Sequence, residues 1–349
     1  MPNKPHSLGT VAWLLGIGFI LLGRLGLAEA PVPEEVFGVL GMEPGQIAEL
    51  AHGQPVTYAL PEGSADELAV GIAWYLPVAL AKVAGHLREE DPDSLDVDVT
   101  AHGMLTEQGW TGALAAVSVS KEEAQALLDV EPGDEFNLSA HEIDSFKTLK
   151  QTLKRTPYRA ITDAVGQHYR EILFRRFEVY RRGGSEAIAP YAREETLDSK
   201  PSLELRQAAN ESPILARYFP ALHKAWLNYP KALPPGTGEA FPWVEKSVEG
   251  RPAAILRHRL SVDWNGGVLV LTREFYAAHS YNSSQWITGC LPYRNGTVVF
   301  QQVRSYTDQV AGVGSEVKHL VGRELLKDKM LKSFERLRKL LEGQAAAGR

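Results

Sequence analysis

Four stretches between Ala254 and Tyr306 are dense in Val, Leu, Ile and aromatic side chains: Ala254 to Asp263, Gly267 to Ala277, Gln285 to Tyr293 and Thr297 to Tyr306. Asn265-Gly266 separates the first two and Asn295-Gly296 the last two. Asn-Gly suits a type I′ turn, whose two central residues both need φ > 0, so the pattern predicts two β-hairpins. The polar segment His279-Ser280-Tyr281-Asn282-Ser283-Ser284 joins them into a four-stranded antiparallel meander. Beyond it, Gly314 to Leu341 carries Val317, Leu320, Val321, Met330, Leu331, Phe334, Leu337 and Leu341 at the 3.6-residue period of one long amphipathic helix.

The rest of the chain is read in the same way. Pro55 to Leu60 alternates as a strand, and Glu67 to Leu76 is a second, with Leu68, Val70, Ile72, Trp74 and Leu76 on one side. Pro77 to Leu87 reads as helix, and Leu114 to Val119 as a further strand. Ser120 with Glu123, and Ser139 with Glu142, form capping boxes that open helices. Pro157 begins a helix that stops at Gly183-Gly184, and shorter helices follow at Ser202 to Ala209 and Ser212 to Tyr229. Six parts result: a signal peptide (1–28), a linker with a short helix (29–54), the N-terminal part of an α+β domain (55–138), a helical insertion (139–232), the C-terminal meander and long helix (233–343), and a frayed tail (344–349).

Composition changes this picture little. With 349 residues, 44% hydrophobic and 23% charged, the chain can bury a core without covalent staples. Its net charge of −6 gives no footprint for nucleic acid. The N-terminus adds more. Lys4 and His6 precede an apolar run, Leu8 to Gly23, and small residues follow around Ala28 and Ala30, the pattern of a secretory signal peptide. Cleavage is expected after Ala28, because Pro31 would follow the scissile bond after Ala30. The run is shorter than the roughly 20 residues of a spanning helix, and an uncleaved membrane anchor is the rival reading. The protein is therefore expected to be exported, periplasmic or extracellular. Cys290 is the single cysteine, so no internal disulfide forms, and its apolar neighbours suit a small buried residue.

The order of elements, an early strand pair and helix, then the meander and a long terminal helix, resembles the helix-grip fold of START-like and polyketide-cyclase-like proteins. The likeness covers roughly residues 55 to 90 and 250 to 341. It implies an antiparallel sheet packed on the C-terminal helix with a ligand cavity between them, and makes the helical middle an insertion. Four local stretches also resemble an uncharacterised family of exported bacterial proteins: Pro132-Gly133-Asp134 with Leu138-Ser139, Ile188 to Arg193, His279 to Ser283, and Thr307 to Gly312. That likeness implies no chemistry.

Candidate chemistry gathers in and around the meander, at Arg273, Glu274, Tyr276, His279, Tyr281, Asn282, Arg304 and Asp308. An inward Arg304 would need a carboxylate, with Glu274 or Asp308 the expected partner. Such a pair could anchor the head of a lipid or acid in an apolar pocket. His279, Ser280 and Asp308 could in principle supply base, nucleophile and orienter, but Gly-x-Ser-x-Gly is missing, and neighbours on a strand point to opposite faces. Arg273-Glu274 is otherwise an outward cross-strand ion pair. The acidic run from Glu89 to Asp98 lacks the spacing of a calcium loop, and His168 with Glu171 lacks the further ligands of a zinc site, so no metal and no cofactor are expected. The basic side of the last helix could touch an anionic membrane. The leading expectation is binding or carriage of a hydrophobic or amphipathic small molecule, a lipid for instance, in the cell envelope. An enzyme using the same pocket and a scaffold binding another protein are the alternatives.

Overall fold

Among the described residues the strands join one antiparallel sheet, in the order β1-β2-β9-β8-β7-β6-β5-β3, with β4 beside β6. These coordinates are a computed structural model that describes residues 32–89, 96–107, 110–133, 135–154, 157–194, 198–312 and 314–347. The expected signal peptide and most of the acidic run lie outside the described residues. The strands are β1 (Val56–Ala59), β2 (Glu67–Leu76), β3 (Val99–Met104), β4 (Gly238–Ala240), β5 (Pro242–Val248), β6 (Arg251–Trp264), β7 (Gly267–Ala277), β8 (Ser283–Tyr293) and β9 (Gly296–Tyr306). The helices are α1 (Pro33–Leu40), α2 (Pro44–Ala51), α3 (Leu80–Glu89), α4 (Trp110–Ala113), α5 (Lys121–Leu128), α6 (Ala140–Thr152), α7 (Tyr158–Gly183), α8 (Pro201–Asn210), α9 (Pro213–Tyr218), α10 (Pro220–Leu227) and α11 (Ser315–Ala347).

Turn chemistry sets the registers. Asn265 (φ 51°) and Gly266 (φ 83°) form the loop between β6 and β7. The second hairpin differs from expectation by one residue: its loop is Arg294-Asn295, with Arg294 at φ 51°, and Gly296 already pairs with Tyr293. Glycine is required there by proximity, since a Cβ on Gly296 would lie 2.3 Å from the carbonyl oxygen of Leu76 on the neighbouring β2. Glu249 (φ 52°) and Gly250 (φ 80°) close a third hairpin, between β5 and β6, which the hydrophobic runs alone do not reveal.

Helices cover both faces of the sheet, which is why β2 and β7 are buried almost residue by residue instead of alternating. On one face α1, α2 and α8 to α10 pack around Phe37, Ile214, Trp226, Leu271 and Phe300. Over the β5 to β7 end of that face, α5 to α7 contribute Phe146, Phe177 and Tyr180 against Trp243 and Phe275. The opposite face carries α3 and α11, with Ile72, Trp74, Val268 and Val299 meeting Met330, Phe334 and Leu337. The rings of Trp74 and Phe334 are 5.8 Å apart.

Several expectations are corrected. Residues 33–51 form two helices whose Val36, Phe37, Leu40 and Leu50 are buried in the core, not a linker with one short helix. Leu114 to Val119 is no strand: Val117 N–H closes a turn on Leu114, and Ser118 N–H donates to Glu245 at 2.9 Å. Ser212 to Tyr229 is interrupted because Pro220 holds Phe219 out of the helical region, at φ −134° and ψ 52°. The helix after β2 starts at Leu80, and α11 continues to Ala347 past the expected tail. The sheet-facing stripe of α11 also starts differently. Gly322 sits against Leu68, and His319 with Arg323 bonds Glu62, each at 3.0 Å. Val317, Leu320, Val321 and Leu325 fall off that stripe and are exposed.

The Gly296 contact is testable by urea denaturation. Gly296→Ala is expected to lower unfolding free energy by about 1–3 kcal/mol, as overpacking does. Gly343→Ala, where a Cβ meets nothing within 4 Å, is expected to leave it unchanged or raise it.

Candidate functional site

Polar side chains recur in register on the α11 face of β6 to β9. Arg257 lies opposite Glu274, Glu274 opposite Ser284, and Ser284 opposite Ser305. Two residues along, Arg259, Thr272 and Trp286 align, and then Val270, Thr288 and Gln301. Period-two alternation puts all of them on one face. Above them α3 and α11 leave a hollow of about 150 Å³, bounded by Thr272, Trp286, Thr288 and Gln301 on the sheet and by Phe334 and Leu337 on α11. A second hollow of about 180 Å³ reaches Lys329, Lys332 and Arg336, and it shares Asp96, Lys246, Glu274, Trp286 and Ser333 with the first. A cavity of roughly 150 Å³ takes a benzene-sized group, so the two together suit a small elongated molecule.

Glu274 accepts hydrogen bonds from Arg257 Nε at 3.0 Å and Tyr281 Oη at 2.7 Å. Burial opposes ionisation of Asp96, but Lys246 at 3.4 Å and the Asp98 amide outweigh it and hold the carboxyl below its ordinary range. Burial, reinforced by Glu274, raises the Tyr281 phenol, which stays protonated and donates. Arg259 donates to the carbonyls of Leu87 and Arg88 at the C-terminal end of α3, where a cation is favoured. Gln301 Nε2 donates to Thr288 Oγ1 at 3.0 Å. Among the described residues, Trp286 Nε1 and Ser284 Oγ are buried without a hydrogen-bond partner.

Of the eight residues singled out in the sequence, Glu274 and Tyr281 line this cavity. The other six lie elsewhere. Arg273 and Glu274 are not an outward pair: they point to opposite faces, and Arg273 is buried over the Trp226 ring at 4.0 Å, donating to Tyr180 Oη at 3.2 Å. Tyr276 meets Tyr169 Oη at 3.2 Å, with Arg176 over its ring at 4.4 Å. Arg304 is inward and paired, but its partners are Glu67 and Glu211 instead of Glu274 or Asp308. His279 and Ser280 lie past the end of β7, and the φ of 71° at Ser280 turns the two side chains together, with His279 Nδ1 2.7 Å from Ser280 Oγ. Asp308 is held by Arg193, Ser199 and Asn282.

Arg193 forms a second polar centre that pattern reading passed over. Its guanidinium donates to the Gly133 carbonyl (2.7 Å), Asn137 Oδ1 (2.8 Å), Asn282 Oδ1 (3.1 Å) and Asp308 Oδ2 (2.8 Å). Those contacts touch all four of the local stretches quoted above. Asn282 Nδ2 also bridges Asp308 and Glu204, at 3.0 and 2.9 Å. Asn137 and Asn282, each the start of an Asn-x-Ser sequon, are buried and engaged in this network. Burial pushes the Cys290 thiol up to about 11, which leaves it an inert core group.

Arg257, Arg259, Thr272, Trp286, Thr288 and Gln301 were missed as a set, although their alternation with apolar neighbours is visible in the sequence. Such alternation ordinarily marks a solvent face. Only the helices that cover it make it a cavity wall.

No protein-family model and no curated protein matches this chain. A solved structure, titled crystal structure of Ara h 8.0201, matches with a TM-score of 0.20 and 11% identity, over 39% of this chain and 89% of that one. A likeness of that size carries no argument about fold or function.

The Arg193 centre yields a pH prediction. Burial raises the Glu204 carboxyl to about 7, against the opposing donors Ser283 and Asn282. The fold therefore binds a proton that the unfolded chain releases above its ordinary value of 4.5. This contribution is whole below that value and is lost as pH rises through about 7. Thermal unfolding from pH 4.5 to 8 is expected to show Glu204→Gln gaining on the native protein as pH rises, by on the order of 2–3 kcal/mol in all.

Proposed function

We propose that the protein binds a small amphipathic molecule in the cavity between the sheet and α11, in the manner of helix-grip proteins and without chemistry on the ligand. One observation carries this reading: a polar row on a helix-covered sheet face looks into a hollow instead of into packed side chains. Polar groups buried without partners cost about 1–3 kcal/mol each. Trp286 Nε1 and Ser284 Oγ bear that cost at the cavity wall, where a ligand's acceptor or a bound water can relieve it. Val270, Val299, Phe334 and Leu337 supply the apolar contact, and Tyr281 and Glu274 orient a polar end. Export, as the N-terminal pattern suggests, would put this binding in the cell envelope.

Native mass spectrometry of the protein from its own host, followed by organic extraction, tests the proposal. A discrete added mass that leaves with solvent is expected, and Val270→Phe, which fills the hollow, is expected to lose it while still unfolding cooperatively. Equal occupancy in Val270→Phe and the native protein would overturn the assignment to this cavity.

A further inference from the structure

The charge around the cavity does not match the charge of the chain. The protein is acidic overall, at −6, yet the two hollows are lined by six cations, Lys246, Arg257, Arg259, Lys329, Lys332 and Arg336, against three acids, Asp96, Asp98 and Glu274. Two of the acids are matched inside, Glu274 by Arg257 at 3.0 Å and Asp96 by Lys246 at 3.4 Å. Arg259 is engaged by the carbonyls that end α3, which leaves Lys329 and Lys332, with the third acid Asp98, in the lining at the α11 end. Lys329 and Lys332 are exposed there and make no ion pair among the described residues. Apolar side chains line both hollows, Val270, Phe334 and Leu337 the first and Val248, Leu326 and Met330 the second, but the exposed lysines stand only at the second. Trp286 spans both.

We infer that the ligand is an amphipathic anion, with a carboxylate or phosphate head at the Lys329, Lys332 and Arg336 end and an apolar body lying along Trp286 toward Phe334 and Leu337. The inference rests on the proposed binding in this cavity and adds the ligand's charge and its direction. Low-dielectric walls focus the field of the cationic rim into the hollow. The ammonium groups of Lys329 and Lys332 give point-charge attraction to a carboxylate or a phosphate.

The test uses three probes of one chain length, octanoate, octyl phosphate and 1-octanol, titrated calorimetrically into the full chain at low and high salt. One or both anions are expected to bind at least tenfold more tightly than octanol, more weakly as salt rises. The K329Q/K332Q variant is expected to lose about that factor for the anion only. The comparison between octanoate and octyl phosphate tells which head group is preferred. K224Q/K231Q, an equal change of charge elsewhere, is expected to bind as the native protein does. Octanol binding as tightly as both anions would overturn the inference while leaving the cavity reading in place. A preference for anions that K329Q/K332Q leaves unchanged would overturn the assignment of the head group to this rim. Binding of none of the three would overturn both readings.

Discussion

The guanidinium of Arg193 fastens together stretches that are far apart in the chain, and the geometry of the sheet's one end depends on it. Its donors reach Gly133 and Asn137 before α6, Asn282 at the start of β8, and Asp308 just beyond β9. Backbone bonds run alongside, from Ala192 N to the Leu138 carbonyl and from Asn282 N to the Tyr306 carbonyl. A planar cation with five donors suits a place where carbonyl, amide and carboxylate oxygens converge from different directions. With a side chain only 6% exposed, its loss would strand several buried acceptors at once. The segment between the two hairpins is thereby fixed, and with it the register in which Glu274 and Tyr281 meet on the other face.

The sheet separates two kinds of buried polarity. On the face toward the helical middle, buried charge is largely met inside the fold, although Arg273 Nε and the Tyr58 and Tyr306 hydroxyls have no partner among the described residues. Arg304 is closed by Glu67 and Glu211, and Arg273 by Tyr180 and the Trp226 carbonyl. His258, which burial lowers to about 4 and keeps neutral, lies between Tyr180 Oη at 2.8 Å and Glu239 at 3.0 Å. Aromatic rings pack tightly around these groups, with Tyr180 stacked on Phe275 at 4.1 Å. On the α11 face the polar row meets empty space. There α11 runs over the sheet on Met330, Phe334, Leu337 and Leu341 and does not fill the ground above Thr272, Thr288 and Gln301, while on the other face a hollow of about 260 Å³ is lined by Ile172, Arg176 and Phe275.

Much of the fold was legible because local rules and tertiary demands agree. The four long strands, the capping boxes at Ser120 and Ser139, and the stop at Gly183-Gly184 all rest on short-range signals that packing reinforces. Legibility ended where a distant neighbour decides the outcome. Asn295-Gly296 looks like a turn by itself, but the nearness of β2 makes Gly296 a strand residue. β3 and β5 are short or rich in charge, and their pairing across a long separation leaves no local mark. In the site the same limit is sharper. Sequence order put His279, Asp308 and Arg304 near one end of the meander, but could not say which face each takes or which helix supplies its partners.

A buried charge was therefore a poor guide to function in this chain. Arg193 and Arg304 are among its most buried cations, and each is closed by partners inside the fold. Such networks are costly to break and contribute modestly when intact, which suits a structural role. The informative sign is the reverse, donors and cations left facing a hollow after the local acids are satisfied. A packed protein gains nothing from Trp286 Nε1 without an acceptor or from a gap beneath Phe334, since van der Waals contact and hydrogen bonding both favour closing it. Filling the gap would need only larger side chains at Thr272 or Thr288. That small residues stand there, beside a cationic rim, is the feature on which the proposed binding rests.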